Sequence, residues 1–421
     1  MASLPELAAD ISCKTDHLVS LMKSSGMDLP SWDENAPAEF AEYGPHAGEI
    51  QQTRYALIDQ LTQALRLAMG PTEYVKSLIS NAPIDIGSMR AIIKFGIPGC
   101  VPLGNSDIPI AKVATKCDVD PQALKRLLSY CKTNGVFRET RPGYIGHTAA
   151  SAALARSDLG RAMQWSVDIP ALSGLRIFDA LKLFGPCDSP RECGFNLAYM
   201  TEETMFEYQE RHPQIATLFN DNMKTESGAT RLSPKHAAAG FDWSKIGSGT
   251  VVDMGGSNGH VSMTISECYP RLKFIVQDRT AEIALWQKQL PEEFAEKITY
   301  QYHDFFTAQK TKADVYFFRY ILHNWANIDA VEIIRCLTPA LKSGTRLIIM
   351  EYLGPQGKEM GEFEERTYRL RDLQMLSFLG AQERTLEEYK AIVTRAAPRF
   401  TFVGFQTPVG SSMSLMEWIY V

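Results

Sequence analysis

A strand-turn-helix segment at residues 251–260 limits the folds open to this chain more than any other stretch. Its sequence, VVDMGGSNGH, runs from two β-branched residues through an acid to a glycine pair and a third glycine. This order is typical of a buried strand that ends in a tight turn and opens a helix. Glycine allows backbone conformations that other residues avoid, and it lets a ligand approach closely. The segment therefore predicts a nucleotide-like ligand at the turn.

Strands and helices alternate from residue 249 onward, which predicts a parallel sheet with helices on both faces. The last two strands are separated by a short polar turn and are expected to form an antiparallel hairpin at the edge of the sheet. We predict an α/β fold with a Rossmann-like seven-stranded sheet, whose strands lie at residues 250–254, 273–277, 298–303, 313–320, 346–351, 400–408 and 413–420.

The N-terminal part of the chain is predicted to be mostly helical. Apolar residues at spacings of three and four mark one helical stripe: Tyr55, Ile58, Leu61, Leu65 and Met69. The sequence of residues 87–148 predicts several helices, the first of which begins at residue 87, and then a hairpin. This order is typical of a winged helix-turn-helix. We predict a winged-helix domain at residues 1–160 and a ligand-binding, catalytic domain at residues 161–421.

DNA binding is the alternative role for a winged helix. The second helix of this motif carries only Lys125, Arg126 and Lys132 as basic residues, and the chain has a net charge of −6. Contact with DNA normally requires a denser basic face. The sequence thus predicts no nucleic-acid partner and favours a structural or dimerising role.

Composition limits the setting in which the protein works. Hydrophobic residues make up 45% of the 421 residues, which is typical of a soluble globular protein. No run approaches the roughly 20 apolar residues of a membrane span, and the N-terminus does not resemble a signal peptide. The eight cysteines are scattered without the spacing of a zinc site. We expect a cytoplasmic protein with no metal and no membrane partner.

Polar residues follow the predicted strands at their carboxyl ends, where doubly wound sheets bind ligands. Asp278 ends the second strand about 20 residues after the glycines, which is the usual place for an acid that accepts ribose hydroxyls. The glycine spacing is G-G-x-x-G, whereas dinucleotide sites have G-x-G-x-x-G. The acid that precedes the turn, Asp253, would repel a pyrophosphate. A nucleoside that carries a sulfonium and an amino acid fits better.

Four motifs in order carry a family resemblance: Asp-x-Gly-Gly-x-x-Gly at 253–259, Val-Gln-Asp at 276–278, His-Asp-Phe-Phe at 303–306 and Leu-His-Asn-Trp at 322–325. Together they resemble the S-adenosylmethionine-dependent O-methyltransferases of the plant caffeate/flavonoid and fungal polyketide type. The resemblance covers nearly the whole chain. Its N-terminal part resembles the dimerisation domain of that family, which implies a homodimer. Relatives commonly have Asp where this chain has Asn324.

The resemblance implies S-adenosyl-L-methionine as cofactor and a role for each motif residue. His323 is implied to be the general base, flanked by Glu351 and Glu383. The implied cofactor contacts are Gly255 and Gly256 at the methionine part, Asp278 at the ribose hydroxyls, Asp304 and Phe305 at the adenine, and Arg319 at a position where relatives often have Lys.

The chemistry of methyl transfer agrees with this assignment. A hydroxyl that attacks a sulfonium methyl group must lose a proton, and a neutral imidazole with a pKa of about 6.5 can accept it near neutral pH. A carboxylate at the second ring nitrogen would hold the imidazole and stabilise its charged form.

The acceptor is expected to be a small aromatic molecule in a pocket lined by residues 160–210 and 371–380. Met375 and Phe378 would flank a flat ring, although their helical spacing is equally typical of ordinary core. His147 is a further candidate substrate contact. A lone histidine near a domain junction is more often hydrogen-bonded structure.

One alternative keeps the fold and changes the reaction. Some fungal relatives bind the cofactor without transferring its methyl group and catalyse dehydration and pericyclic steps. In that group a cationic residue tends to replace the catalytic histidine. The presence of His323 and of both glutamates favours methyl transfer to a phenolic or enolic hydroxyl.

Overall fold

The structure is a computed structural model that describes residues 3–40, 46–156, 158–279, 283–354 and 360–421. The chain divides into two compact units. The N-terminal unit comprises Met1–Leu172, Phe206–Glu226 and Gly361–Glu364, and the C-terminal unit comprises Ser173–Met205, Ser227–Met360 and Glu365–Val421. The boundary between residues 160 and 161 that the sequence suggests stays a prediction.

Helices account for most of the N-terminal unit and flank the strands of the C-terminal unit. In chain order they are α1 (Leu4–Ser24), α2 (Ala47–Lys94), α3 (Ile97–Cys100), α4 (Ile110–Cys117), α5 (Pro121–Thr133), α6 (Ala149–Arg156), α7 (Leu159–Gly174), α8 (Ile177–Phe184), α9 (Gly194–Tyr199), α10 (Met205–Arg211), α11 (Pro213–Gly228), α12 (Lys235–Ala239), α13 (His260–Cys268), α14 (Ile283–Gln289), α15 (Asn327–Arg335), α16 (Glu362–Leu379) and α17 (Leu386–Ala396). None of these described helices is both long enough and apolar enough to cross a bilayer.

Strands form two separate sheets. Three short strands belong to the N-terminal unit, namely β1 (Asp107–Pro109), β2 (Arg138–Arg141) and β3 (Tyr144–Gly146). The others form a seven-stranded sheet: β4 (Thr250–Met254), β5 (Lys273–Asp278), β6 (Ile298–Tyr302), β7 (Val315–Arg319), β8 (Arg346–Glu351), β9 (Phe400–Gln406) and β10 (Ser414–Tyr420).

The N-terminal unit contains the predicted helix pair and hairpin. Asp120 begins α5 by accepting a hydrogen bond from the Ala123 amide at 2.8 Å, which satisfies one free N–H of the first turn. Helices α4 and α5 share a hydrophobic core with Phe137 and Ile145, and the three strands are ordered β1-β3-β2. The predicted helix start at residue 87 is wrong. The only break within α2 is at Gly70, whose φ is 71°, and the helix continues to Lys94.

The seven-stranded sheet has the order β6-β5-β4-β7-β8-β10-β9, which confirms the predicted fold class. Strands β4 to β8 pair in parallel, and the β9–β10 hairpin is antiparallel, with β10 inserted beside β8. Both faces of the sheet are buried, because Val251 and Val252 belong to two different hydrophobic clusters. Burial on both faces explains why these strands read as continuous apolar runs.

Candidate active site

Strand order reverses at β4, whose neighbours β5 and β7 lead to opposite sides of the sheet. A crevice at the carboxyl ends of the strands is expected at such a point. The polar residues that follow β4, β5, β7 and β8 all lie at that edge, because the four strands are parallel and adjacent.

The turn after β4 requires its glycines. Gly255 has a φ of 69°, a left-handed conformation that side chains disfavour, and its amide donates to the Gln277 carbonyl at 2.7 Å. A Cβ atom on Gly256 would lie 2.6 Å from Cγ of Asp253 and 2.8 Å from Cγ1 of Val276. The backbone of this turn is therefore left bare of side chains at both positions.

Asp253 lies beneath the turn, with only 3% of its surface exposed. Its Oδ2 accepts a hydrogen bond from Oγ of Ser262 at 2.6 Å, which ties β4 to α13. Burial raises the pKa of Asp253 to about 6, although this hydrogen bond and the charge of Arg319 both act to lower it. The Asp253 carboxylate thus packs against the glycine turn and adds negative electrostatic potential there.

Asp278 and Asp304 lie at the next two strand ends. The Asp278 carboxylate accepts the Ser257 amide at 3.0 Å and the Arg279 amide at 2.7 Å, so its position is fixed relative to the glycine turn. Asp304 accepts the amide of Phe306 at 3.0 Å. Both acids are half-buried, which leaves room for a ligand to reach them.

Phe305 belongs to an aromatic cluster at the same edge. Its ring centroid lies 5.2 Å from that of Phe306 and 5.7 Å from that of Trp325, the latter in an edge-to-face arrangement. A Cβ atom on Gly255 would also come within 3.9 Å of the Phe305 ring. The predicted adenine contact therefore lies next to the glycine turn.

Two buried nitrogen atoms near the turn have no hydrogen-bond partner among the described residues. They are Nε of Arg319, whose Nη2 donates to the Leu232 carbonyl at 2.5 Å, and Nε2 of His260, whose Nδ1 lies 2.8 Å from Oδ1 of Asn258. Burial and the charge of Arg319 lower the pKa of His260 to about 4, so its imidazole is neutral. Unpartnered buried polar atoms are costly, and these two suit a polar ligand such as S-adenosyl-L-methionine.

His323 occupies a short 3₁₀ turn, Leu322–Asn324, that follows β7. The residue is 2% exposed, and its Nδ1 lies 2.9 Å from Oε1 of Glu383. Its Nε2 is buried and has no partner in the described part of the chain. Burial alone would lower the pKa of His323, but the charges of Glu383 and Glu351 and the hydrogen bond to Glu383 outweigh burial and raise it above 6.5.

Glu351 supports the backbone of this turn. Its Oε1 accepts the amides of Ile321 at 2.9 Å and Leu322 at 2.8 Å. Burial raises the pKa of Glu351, and the charge of Glu383 adds to this effect. The two glutamates therefore differ in what they contact: Glu383 binds the ring of His323, and Glu351 binds the chain that carries it.

The sequence interpretation missed Tyr320, which lies beside His323, and its contact with Arg371. The ring of Tyr320 lies edge-on to the imidazole, with centroids 4.6 Å apart, and its hydroxyl accepts a hydrogen bond from Nη1 of Arg371 at 3.0 Å. Tyr320 also has a left-handed φ of 63°. Asn324 stabilises this backbone, because its Nδ2 donates to the Tyr320 carbonyl at 3.1 Å. Arg371 begins the segment 371–380 that the sequence predicts to line the acceptor pocket, but no sequence signal marked Tyr320 or the hydrogen bond between the two.

Met375 and Phe378 are buried on α16, at 8% and 4% exposure. Glycines bring the end of this helix against the segment that starts at Ser173. A Cβ atom on Gly194 would lie 2.4 Å from the Ser173 carbonyl oxygen and 2.8 Å from that of Ser377. Within the C-terminal unit, two of the stretches predicted to line an acceptor pocket are thus in contact. The substrate roles of Met375 and Phe378 stay predictions.

His147 lies in the N-terminal unit and is completely buried. Its Nδ1 is 3.0 Å from Oγ of Ser151, and its Nε2 is 3.2 Å from the Val101 carbonyl oxygen. Both ring nitrogens are thus engaged within that unit, which is the bonding expected of a structural histidine. The substrate contact suggested for it stays a prediction.

Comparisons with known proteins agree with the geometry. A family model described as an O-methyltransferase domain matches residues 186–399. The grayanic acid biosynthesis cluster O-methyltransferase of Cladonia grayi is 32% identical over 100% of this chain and 88% of its own length. The chlorophenol O-methyltransferase of Trichoderma longibrachiatum is 33% identical over 98% of this chain and 89% of its own length.

Solved structures match over nearly the whole chain. OxaC in complex with SAH and oxaline has a TM-score of 0.75 and 20% identity, covering 99% of this chain and 100% of that one. At this identity the likeness supports the fold, while the family model and the curated relatives support the activity. The chain belongs to the S-adenosylmethionine-dependent O-methyltransferases.

Proposed function

We propose that this enzyme methylates a phenolic or enolic hydroxyl of a small aromatic, polyketide-type secondary metabolite, with His323 as general base. One observation carries the proposal. Nδ1 of His323 is held by Glu383, whereas its buried Nε2 has no partner among the described residues. The carboxylate selects the tautomer with a proton on Nδ1, so the lone pair of Nε2 is available to accept a proton.

S-adenosyl-L-methionine supplies an electrophilic methyl group when bound. Nε2 of His323 would accept the proton of the acceptor hydroxyl, whose oxygen would take the methyl group as the bond between that carbon and the cofactor sulfur breaks. Glu383 stabilises the resulting imidazolium through the bond at Nδ1, and Glu351 adds a second negative charge nearby. Gly255, Gly256, Asp278, Asp304, Phe305 and Arg319 are proposed to bind the cofactor, which makes positioning the main task of the remaining chain.

A phenolic acceptor is supported by the name of the chlorophenol O-methyltransferase relative, and a secondary metabolite by that of the grayanic acid cluster relative. The buried aromatic and thioether side chains of Phe378 and Met375 suit a flat ring. The test is incubation with methyl-labelled cofactor and a panel of phenols and enols. Label in an O-methylated product supports the proposal. Conversion of an acceptor without label in any product would instead favour the pericyclic or dehydration alternative.

We also propose that the protein is a homodimer formed through a winged-helix region in the N-terminal unit. Helix α2 carries exposed apolar side chains, including Leu65 at 55%, Ile79 at 70% and Ile84 at 56%. Large exposed apolar surface commonly marks protein interfaces. Light scattering at micromolar concentration should give twice the chain mass. A monomer of unchanged activity would refute the dimer. The cytoplasmic location stays a prediction.

A further inference from the structure

We propose that Arg384 is a positioning residue for catalysis, because its guanidinium holds the backbone turn that carries His323. The inference rests on the proposed role of His323 as base. Arg384 directly follows Glu383 in the chain and is completely buried. A buried guanidinium has lost the hydration of its charge, so its position needs compensating hydrogen bonds.

Three hydrogen bonds fix the Arg384 side chain. Nη1 donates to the Leu322 carbonyl at 2.7 Å, Nη2 to the Trp325 carbonyl at 2.6 Å, and Nε to Oδ1 of Asn327 at 2.8 Å. All three acceptors are uncharged, because they are two backbone carbonyls and a side-chain amide. The positive charge of the guanidinium therefore interacts with the carbonyls of Leu322 and Trp325, which lie on either side of His323 in the chain.

The turn is held from its opposite end by a carboxylate. Oε1 of Glu351 accepts the amides of Ile321 and Leu322, at 2.9 and 2.8 Å. The anion thus binds the N–H groups and the cation binds the C=O groups of one short stretch of backbone. Charge-assisted hydrogen bonds of this kind are stronger than neutral ones. Together they fix the backbone from which the imidazole projects.

Arg384 also links the turn that carries His323 to the segment that follows β8. Its own carbonyl accepts the Gly354 amide at 3.1 Å, and the chain at Arg384 pairs with Leu353 just beyond the end of β8. The preceding residue, Glu383, binds Nδ1 of His323 at 2.9 Å. One two-residue segment therefore fixes the ring of His323 through Glu383 and its backbone through Arg384.

A lysine could not reproduce this arrangement, because an ammonium group is a point donor without the planar fork of a guanidinium. The test compares R384M and R384K with wild type. We expect R384M to lower kcat by about 10- to 100-fold, since small displacements of a catalytic group cost about this much. The KM for the acceptor and the dissociation constant for SAH should change by less than roughly threefold. R384K should fall between R384M and wild type.

The pH profile separates positioning from general support of the fold. If R384M loosens the contact between Glu383 and His323, the pKa of His323 should fall. The acid limb of the kcat profile should then move to lower pH. R346M serves as the matched control. It removes the ion pair between Arg346 and Glu417 at the first residue of β8, the opposite end of the strand that ends in Glu351. This control should leave kcat per folded molecule and the pH profile as in wild type.

Two outcomes would overturn the inference. One is a loss of R384M activity that matches its unfolded fraction, with an unchanged pH profile. The other is a wild-type kcat for R384K, which decides the matter where R384M does not fold. An H323A variant is measured in parallel. Full activity of H323A would refute the base itself, whereas an inactive H323A beside a normal R384K would refute only the role of Arg384.

Discussion

Oε1 of Glu383 lies 2.9 Å from Nδ1 of His323, and both side chains are almost fully buried. Burial makes a lone charge costly, so each group depends on the other. The pair sets both the orientation of the imidazole and the nitrogen that stays open for the acceptor. The protonation state of His323 is therefore coupled to Glu383, and substitutions at either residue should have separable effects.

Replacing His323 by Ala should lower kcat by roughly 10²–10⁴-fold, the usual contribution of a general base. The affinity for SAH should remain close to wild type, because the bonds of Asp278 to the glycine turn do not involve His323. Steady-state kinetics and calorimetric titration with SAH measure the two quantities. H236A is a suitable control in the same unit, since Nε2 of His236 lies 2.8 Å from the Thr230 carbonyl oxygen and the residue lies outside the proposed site. Equal losses of turnover and SAH affinity in H323A would show that His323 is structural.

Replacing Glu383 by Gln should move the acid limb of kcat to lower pH. The charge of Glu383 raises the pKa of His323, and Gln keeps an acceptor for Nδ1–H without that charge. The maximal kcat should fall about 10- to 100-fold, the equivalent of one charge-assisted hydrogen bond. An unchanged acid limb would mean that another group controls the profile.

Stability should respond to pH in the same variant. A histidine with a raised pKa contributes stability that is fully present below about pH 6.5 and is lost as pH rises through the raised value. E383Q should therefore cost more free energy of unfolding at pH 6 than at pH 9. Urea denaturation at the two pH values measures the difference, and a cost that does not depend on pH would contradict the coupling.

The sheet could be predicted because its central strands are apolar runs, and because acids recur at the strand ends, namely Asp253, Asp278 and Asp304. The link between His323 and Glu383 could be predicted only through the family resemblance. Sixty positions separate the two residues, and nothing in local periodicity brings them together. The proposed role of Arg384 could not be predicted, because an arginine next to a glutamate is typical of a solvated surface. Only the fold shows that this side chain is buried against carbonyl groups.

The helix boundaries of the N-terminal unit are likewise only partly predictable from the sequence. The sequence predicts a helix start at Gly87, yet the helix runs through this residue to Lys94. Gly70, by contrast, has a φ of 71° and does break the helix, with Pro71 opening the part that follows. The proline that follows Gly70 marks this break in the sequence, whereas Gly87 is followed by a serine.

Replacing Asp278 by Ala should weaken binding of SAH by roughly 10- to 100-fold, the value of hydrogen bonds to a charged group. The same carboxylate accepts the Ser257 and Arg279 amides, so the variant also loosens the glycine turn. Isothermal titration gives the affinity. D314N is the matched control, because Asp314 bonds to Lys342 and the Thr250 amide at the start of β4, the opposite end from the turn. Equal weakening in both variants would point to a general loss of structure.

Replacing Asn324 by Asp should impair the enzyme. Nδ2 of Asn324 donates to the Tyr320 carbonyl at 3.1 Å, and a carboxylate cannot donate that bond. The new negative charge next to His323 would also raise the pKa of the imidazole, so the acid limb of kcat should move to higher pH. N324A loses the hydrogen bond without adding charge. Both N324D and N324A should have a lower Tm than wild type, because both lose this hydrogen bond. N324A should keep the wild-type pH profile. A higher kcat in N324D with an unshifted acid limb would show that Asn324 does not stabilise the Tyr320 backbone in the way its hydrogen bond suggests.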